Sequence, residues 1–174
     1  TINNLNILKL LGIHWEKKYK KDDFRYDLVL DKEDIAFGNN YLARLGWEKR
    51  NIVGIHPGSI NSPAGILKRW SIDRFAKVAT YLIRRKKKIL IFFGPFEVEL
   101  GKKLFGLIND SKNCQLIEKT TFNESLGILE KISLLISNDN GFAHLANALK
   151  VRSIILFGPT NIKWCSPYNK ALVL

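Results

Sequence analysis

From Asn51 onward the chain alternates short apolar runs with longer helical patterns, and most of the runs stop at a turn signal. The runs are residues 52–56, 89–93, 115–118, 134–137 and 153–157, with Pro57-Gly58, Gly94-Pro95 and Gly158-Pro159 closing the first, second and last. Between them lie stretches of helical spacing. In the first, Ser71 stands as an N-cap and Ile72, Phe75, Ala76, Ala79, Leu82 and Ile83 share one face. Residues 97–108, 124–131 and 141–149 supply the others. Such alternation predicts an α/β fold, a Rossmann-like parallel sheet with helices on both faces and right-handed crossovers. Parallel strands put every βα turn on one edge, so Pro57, Pro63, Pro95 and Pro159 all fall where open α/β sheets bind ligands.

Residues 1–50 read differently. Residues 15–23 are charge-rich without a period, and residues 34–47 make a helix with Ile35, Leu42 and Leu45 as its apolar face. The expected division is 1–50 as an interdomain linker or domain edge and 51–174 as the Rossmann-like domain. The chain contains no methionine, which reads as a piece of a longer protein.

Apolar residues make up 46% and charged residues 25%, the balance of a globular chain. No apolar run approaches the ~20 residues of a membrane span. The first apolar stretch is broken by Lys9 and followed by charge, and does not read as a signal peptide. Cys114 and Cys165 lack metal spacing and read as reduced, structural thiols of a cytosolic protein. The 28 basic residues against 16 acidic ones leave a net charge of +12, which points to an anionic partner: nucleic acid, phosphorylated metabolite or lipid head group.

Three loops carry candidate chemistry. His56-Pro57-Gly58-Ser59 leads through small residues to Lys68-Arg69-Trp70, offering backbone N–H groups, the Ser59 hydroxyl and the Lys68 cation to an anionic oxygen cluster. The alternative is a βα loop with solvated cations. In Asn138-Asp139-Asn140-Gly141-x-x-His144, a helix N-terminus opens at the same edge, with no Cβ at Gly141 and His144 on the first turn. Diphosphate oxygens fit there; the plainer reading makes Asp139 or Asn140 an N-cap and His144 structural. Glu97, just past Gly94-Pro95, suits the two hydroxyls of a ribose, or is first-turn helix charge. No P-loop, Gly-x-Gly-x-x-Gly, Gly-x-Ser-x-Gly or metal-spaced histidine pattern is present.

Taken together and in order, His56-Pro57-Gly58-Ser59, Lys68-Arg69-Trp70-Ser71, Phe93-Gly94-Pro95, Asn138-Asp139-Asn140-Gly141-x-x-His144-Leu145-Ala146 and Leu156-Phe157-Gly158-Pro159-Thr160 resemble the C-terminal half of the bacterial lipopolysaccharide heptosyltransferases of glycosyltransferase family 9. The resemblance covers residues from about 50 to 174, with residues 4–13 similar to the segment entering from the other domain. It implies the donor-binding domain of a two-domain GT-B enzyme that transfers heptose from ADP-heptose to the lipopolysaccharide inner core, with inversion and without metal or other cofactor. It also implies donor-binding roles for Ser59, Lys68 (diphosphate), Glu97 (ribose, with Glu99 as substitute), Asp139, Asn140, Gly141 and His144, where the family often has Thr or Ser at the position of Asn140. The catalytic base is expected in the other domain. The implied partners are an ADP-sugar and an anionic lipopolysaccharide precursor. The implied place is the cytoplasm, at the cytoplasmic face of the inner membrane. The basic excess then reads as attraction to anionic head groups through Lys17, Lys18, Lys20, Lys21 and residues 84–88; the plainer reading is a solvated basic surface. Three rival readings are a GT-B transferase or epimerase using a UDP-sugar, a basic nucleic-acid-binding module, and a non-enzymatic sugar-nucleotide sensor. Scattering of the basic residues among aliphatic helices argues against nucleic acid.

Overall fold

The computed structural model describes residues 6–12, 14, 28–60, 62–167 and 171–173. The charge-rich stretch at 15–23, with Lys17, Lys18, Lys20 and Lys21, lies outside them. Six parallel strands form one sheet: β1 (Ile52–His56), β2 (Lys88–Ile91), β3 (Cys114–Leu116), β4 (Leu134–Asn138), β5 (Ser153–Leu156) and β6 (Ala171–Val173). Their order in space is β3-β2-β1-β4-β5-β6, so the sheet is wound outward in both directions from the β1/β4 pair. Side chains alternate across the strands. Ile52, Leu90, Phe92 and Leu135 enter one core; Val53, Ile55, Ile89, Ile91 and Ile136 enter the other.

Helices α1 (Lys32–Leu45), α2 (Pro63–Ile66), α3 (Ile72–Arg84), α4 (Val98–Ile108), α5 (Phe122–Glu130), α6 (Gly141–Ala148) and α7 (Ile162–Cys165), with 3-10 turns at Asn6–Leu11, Lys49–Asn51 and Pro95–Glu97, complete the described elements. Phe75, Ala76 and Ala79 of α3 pack with Leu104 and Ile108 of α4 on one face. Leu126, Ile128 and Leu129 of α5 and Ala146 of α6 cover the other. The short strand β6, with α2 and α7, extends the five-strand expectation. Ser71 does precede α3, but its hydroxyl bonds the Asp73 carboxylate at 3.3 Å instead of capping the backbone.

The segment expected as linker or domain edge brings α1 onto this second face. Leu42 is buried, and Phe37, Tyr41, Leu45 and Trp47 pack around it. The approach of α1 to α5 is backbone to backbone: a Cβ on Gly38 would overlap the Gly127 carbonyl, and one on Gly127 would overlap that of Asp34. The periodicity of residues 34–47 shows which face is apolar, not what it packs against.

Candidate functional site

All three candidate loops meet at the carboxyl edge of β1, β2 and β4, at the point where strand order reverses. A crevice outside the carboxyl ends at that point is where open α/β sheets bind ligands. Two adjoining cavities occupy it. One, of about 300 Å³, is lined by His56, Ser59, Glu97, Asn140 and Gly141 among others. The second, of about 330 Å³, lies between Phe93, Phe122 and Phe142 with Thr120, Thr121 and Ser125; both share His56, Gly94, Pro95 and Phe142.

Glu97 does not begin α4, as the helical pattern from residue 97 suggests. Pro95–Glu97 form a 3-10 turn, and the carboxylate folds back to accept from the Gly94 N–H at 2.9 Å. It is 8% exposed and lies so close over Gly58 that a Cβ there would overlap it. His56 Nε2 is 3.6 Å from its Oε2, and Arg69 Nη2 is 3.8 Å from its Oε1. Glu99, by contrast, is solvent-exposed, pairs with Lys102 at 3.5 Å and lines neither cavity.

Asn140 is the N-cap of α6. Its Oδ1 accepts from the Ala143 N–H at 3.0 Å, so its amide nitrogen faces back toward β1. There it donates to the Gly58 carbonyl at 2.8 Å and sits 3.0 Å from His56 Nδ1. Beyond Asn140 the chain is open: a Cβ on Gly141 would meet nothing within 4 Å. Asp139 is buried, and its carboxylate accepts from Lys68 Nζ at 3.1 Å. The lysine is brought there by Asn138, whose buried amide accepts from the Trp70 N–H at 3.0 Å and donates to the Pro57 carbonyl at 2.7 Å. Ser59 lines the first cavity, but its hydroxyl is committed to the Gly65 carbonyl at 2.5 Å, closing the turn that precedes Lys68.

The structure thus brings Ser59, Glu97, Asn140 and Gly141 to one cavity wall and places the Lys68–Asp139 pair at the adjacent β4 tip. His144 is on the first turn of α6, facing the charge of Asp139. His56, Arg69, Phe142 and Asn138 stand at the same edge, within the motifs but with no role assigned to them from sequence. The available signal was their position within the loops already marked.

Burial lowers the pKa of both His56 and His144 below the ordinary 6.5; the nearby carboxylates of Glu97 and Asp139 oppose this less strongly. The unfolded chain therefore takes up protons first as pH falls through about 6.5, and folding stability drops from there toward the folded-state values. Urea unfolding at about pH 7.5 and pH 5.5 should show lower stability at the acid value, with a smaller loss in His56→Gln. Equal losses in both proteins would remove His56 as a source. Burial also pushes the Cys114 thiol up to about 12, which keeps it protonated and inert. Among the described residues, no group of three His, Cys, Asp or Glu is placed to hold a metal, and no helix is long and apolar enough to cross a membrane.

A doubly wound parallel sheet with its crevice at the strand-order reversal defines a Rossmann-like α/β domain. The chain belongs to glycosyltransferase family 9 (heptosyltransferase), whose sequence model matches residues 8–174. It is 30% identical over 137 residues to lipooligosaccharide heptosyltransferase 2 of Campylobacter jejuni, covering 78% of this chain and 41% of that protein. The crystal structure of the glycosyl transferase family 9 protein from Veillonella parvula superposes with a TM-score of 0.76 at 26% identity, over 86% of this chain and 42% of that one. Escherichia coli ADP-heptose LPS heptosyltransferase II shares the fold, with a TM-score of 0.72 at 22% identity over 85% and 44% of the two chains. The chain spans about two-fifths of the length of these relatives.

Proposed function

We propose that this chain is the donor-binding half of a GT-B heptosyltransferase that takes ADP-heptose and transfers heptose, with inversion, to an anionic lipopolysaccharide precursor. The observation that carries the reading is the crevice at the β1/β4 tips, which has a carboxylate on its floor, an open first helical turn at Gly141 and a lysine at its side. In this reading the ribose hydroxyls donate to Glu97. The base enters the second cavity, whose Phe93, Phe122 and Phe142 rings and three hydroxyl side chains suit a flat, polar-edged ring. The diphosphate lies toward the N-terminus of α6 and Lys68.

Transfer would then run by attack of an acceptor hydroxyl on the anomeric carbon while the bond to ADP breaks. The hydroxyl proton passes to a base in the other domain, and the charge that develops on the ADP oxygens falls on Lys68 and the first-turn N–H groups of α6. Donors fixed in advance stabilise that charge without reorganising. The acceptor is a lipid-linked glycan, so the protein works at the cytoplasmic face of the inner membrane. Exposed Arg84, Arg85 and Lys86 add attraction for anionic head groups.

Calorimetric titration with ADP, UDP and a short single-stranded RNA tests the reading. Saturable ADP binding, at least ~10-fold tighter than UDP, is the expected result, since base-specific contacts of ~1–2 kcal/mol separate the two. Preference for UDP would move the chain to a different sugar-nucleotide enzyme, and binding of RNA alone would overturn the enzyme reading.

A further inference from the structure

We propose that His56 is a positioning residue that holds the Glu97 carboxylate for a ribose diol, and so sets discrimination between ribonucleotide and deoxyribonucleotide donors. The inference rests on the donor-site reading above. It starts from the orientation of one amide. Asn140 Oδ1 caps α6 by accepting from the Ala143 N–H, so Nδ2 is the atom facing His56 Nδ1 at 3.0 Å. Nδ2 also reaches the Gly58 carbonyl at 2.8 Å and Ser137 Oγ at 3.0 Å, so its two hydrogens are shared among three acceptors. An amide nitrogen offers no lone pair to an Nδ1–H, so the tautomer that fits beside it leaves Nδ1 bare and puts the imidazole hydrogen on Nε2. Nε2 faces Glu97 Oε2 at 3.6 Å, too long for a formed hydrogen bond, and directs its N–H dipole at the carboxylate.

The rest of the seat leaves Glu97 little freedom. Gly94 N–H holds Oε2, the Cα of Gly58 lies beneath, and Arg69 supplies the cation facing Oε1. His56 is itself immobilised: it is buried, stacked on Phe142 at 4.9 Å between ring centroids, and lines both cavities. Burial keeps the ring neutral. That neutrality matters, because a cationic imidazole would draw the carboxylate away from neutral hydroxyl donors, whereas a neutral N–H orients it and leaves lone pairs on both oxygens. A carboxylate so held offers two acceptors to neighbouring hydroxyls and gives nothing to a sugar lacking them.

The test compares calorimetric affinities of this chain for ADP and for 2′,3′-dideoxy-ADP. Two hydroxyl-to-carboxylate bonds should make ADP bind ~10-fold or more tightly than its dideoxy analogue. His56→Asn keeps an acceptor for Asn140 but removes the group that reaches Glu97. The ratio should fall to about 3 or less, with ADP losing more affinity than dideoxy-ADP. His56→Gln, whose amide nitrogen reaches the Nε2 position, should restore the ratio. A merely structural role would lower both affinities together. Asn140→Ser retains a capping oxygen and frees the tautomer, and should lower the ratio by itself; it serves if His56→Asn does not fold. An unchanged ratio in folded His56→Asn and in Asn140→Ser would overturn this inference alone. A ratio near 1 in the unsubstituted chain would do the same, while absence of any ADP binding would overturn the donor-site reading and this inference with it.

Discussion

Gly127→Ala should lower the melting temperature by roughly 3–8 °C, although alanine is the better helix former. In a helix interior the replacement of glycine by alanine gains about 1 kcal/mol from propensity alone. Gly106 in α4 is the control: a Cβ there meets nothing within 4 Å, so Gly106→Ala should be neutral or stabilising by that amount. At Gly127 the added methyl overlaps the Asp34 carbonyl, a backbone atom with no rotamer to escape into. The helices α1 and α5 must then separate, loosening the packing of Leu42, Phe37, Tyr41 and Leu45. An overpacking cost of about 2–3 kcal/mol, the upper part of the usual range because backbone atoms overlap, exceeds the propensity gain, and a net loss of about 1–2 kcal/mol converts to the stated shift for a domain of this size. Gly38→Ala, directed at the Gly127 carbonyl, should behave the same way. Thermal melts of the three variants decide the matter. A rise in Gly127→Ala comparable to that of Gly106→Ala would mean that α1 does not pack on α5 in solution, and that the domain core ends near Asn51.

That contrast marks where the sequence was informative. Strand and helix alternation is a local, periodic signal, so the parallel sheet, the two-faced helical cover and the shared edge of the loops were legible from residues 51–157. Packing partners are not local. Nothing in the spacing of Ile35, Leu42 and Leu45 says that two glycines 89 positions apart, Gly38 and Gly127, will let two backbones touch. The site divides in the same way. The loops carrying Ser59, Lys68, Glu97 and Asn140 were recognisable from turn chemistry and order. Which atoms face one another was not, because that depends on Pro95 turning Glu97 back over Gly58 and on Asn140 spending its oxygen on the α6 cap. For the same reason Glu99, equally acidic and two residues on, stood as a substitute for Glu97 until the 3-10 turn put one inside and the other in solvent.

Asp139 is the residue whose sequence reading and geometry diverge most, and it governs the second large effect. A carboxylate beside a diphosphate repels it, so a buried Asp139 belongs in a donor site only if its charge is answered. Lys68 answers it at 3.1 Å, and the ammonium has two further hydrogens for phosphate oxygens. If the proposed donor site is right, Lys68→Ala removes charge-assisted bonds to the diphosphate, about 1.5–3 kcal/mol, and also exposes it to an unpaired anion. ADP affinity should fall ~100-fold or more, at 1.4 kcal/mol per decade. The two parts separate in the double variant. Lys68→Ala with Asp139→Asn lacks both the cation and the opposing charge, and should recover about 10-fold of the loss. Asp139→Asn alone keeps the cation but lets it swing from the β4 tip, so it should weaken binding modestly through orientation. Calorimetry of the three variants with ADP reads each term. If Lys68→Ala binds within about 3-fold of the unsubstituted chain, Lys68 is not the diphosphate ligand. If the double variant is no better than the single one, Asp139 is not the opposing charge. Recovery in the double variant would identify the ion pair as the element that lets this edge accept an anionic leaving group despite its buried carboxylate.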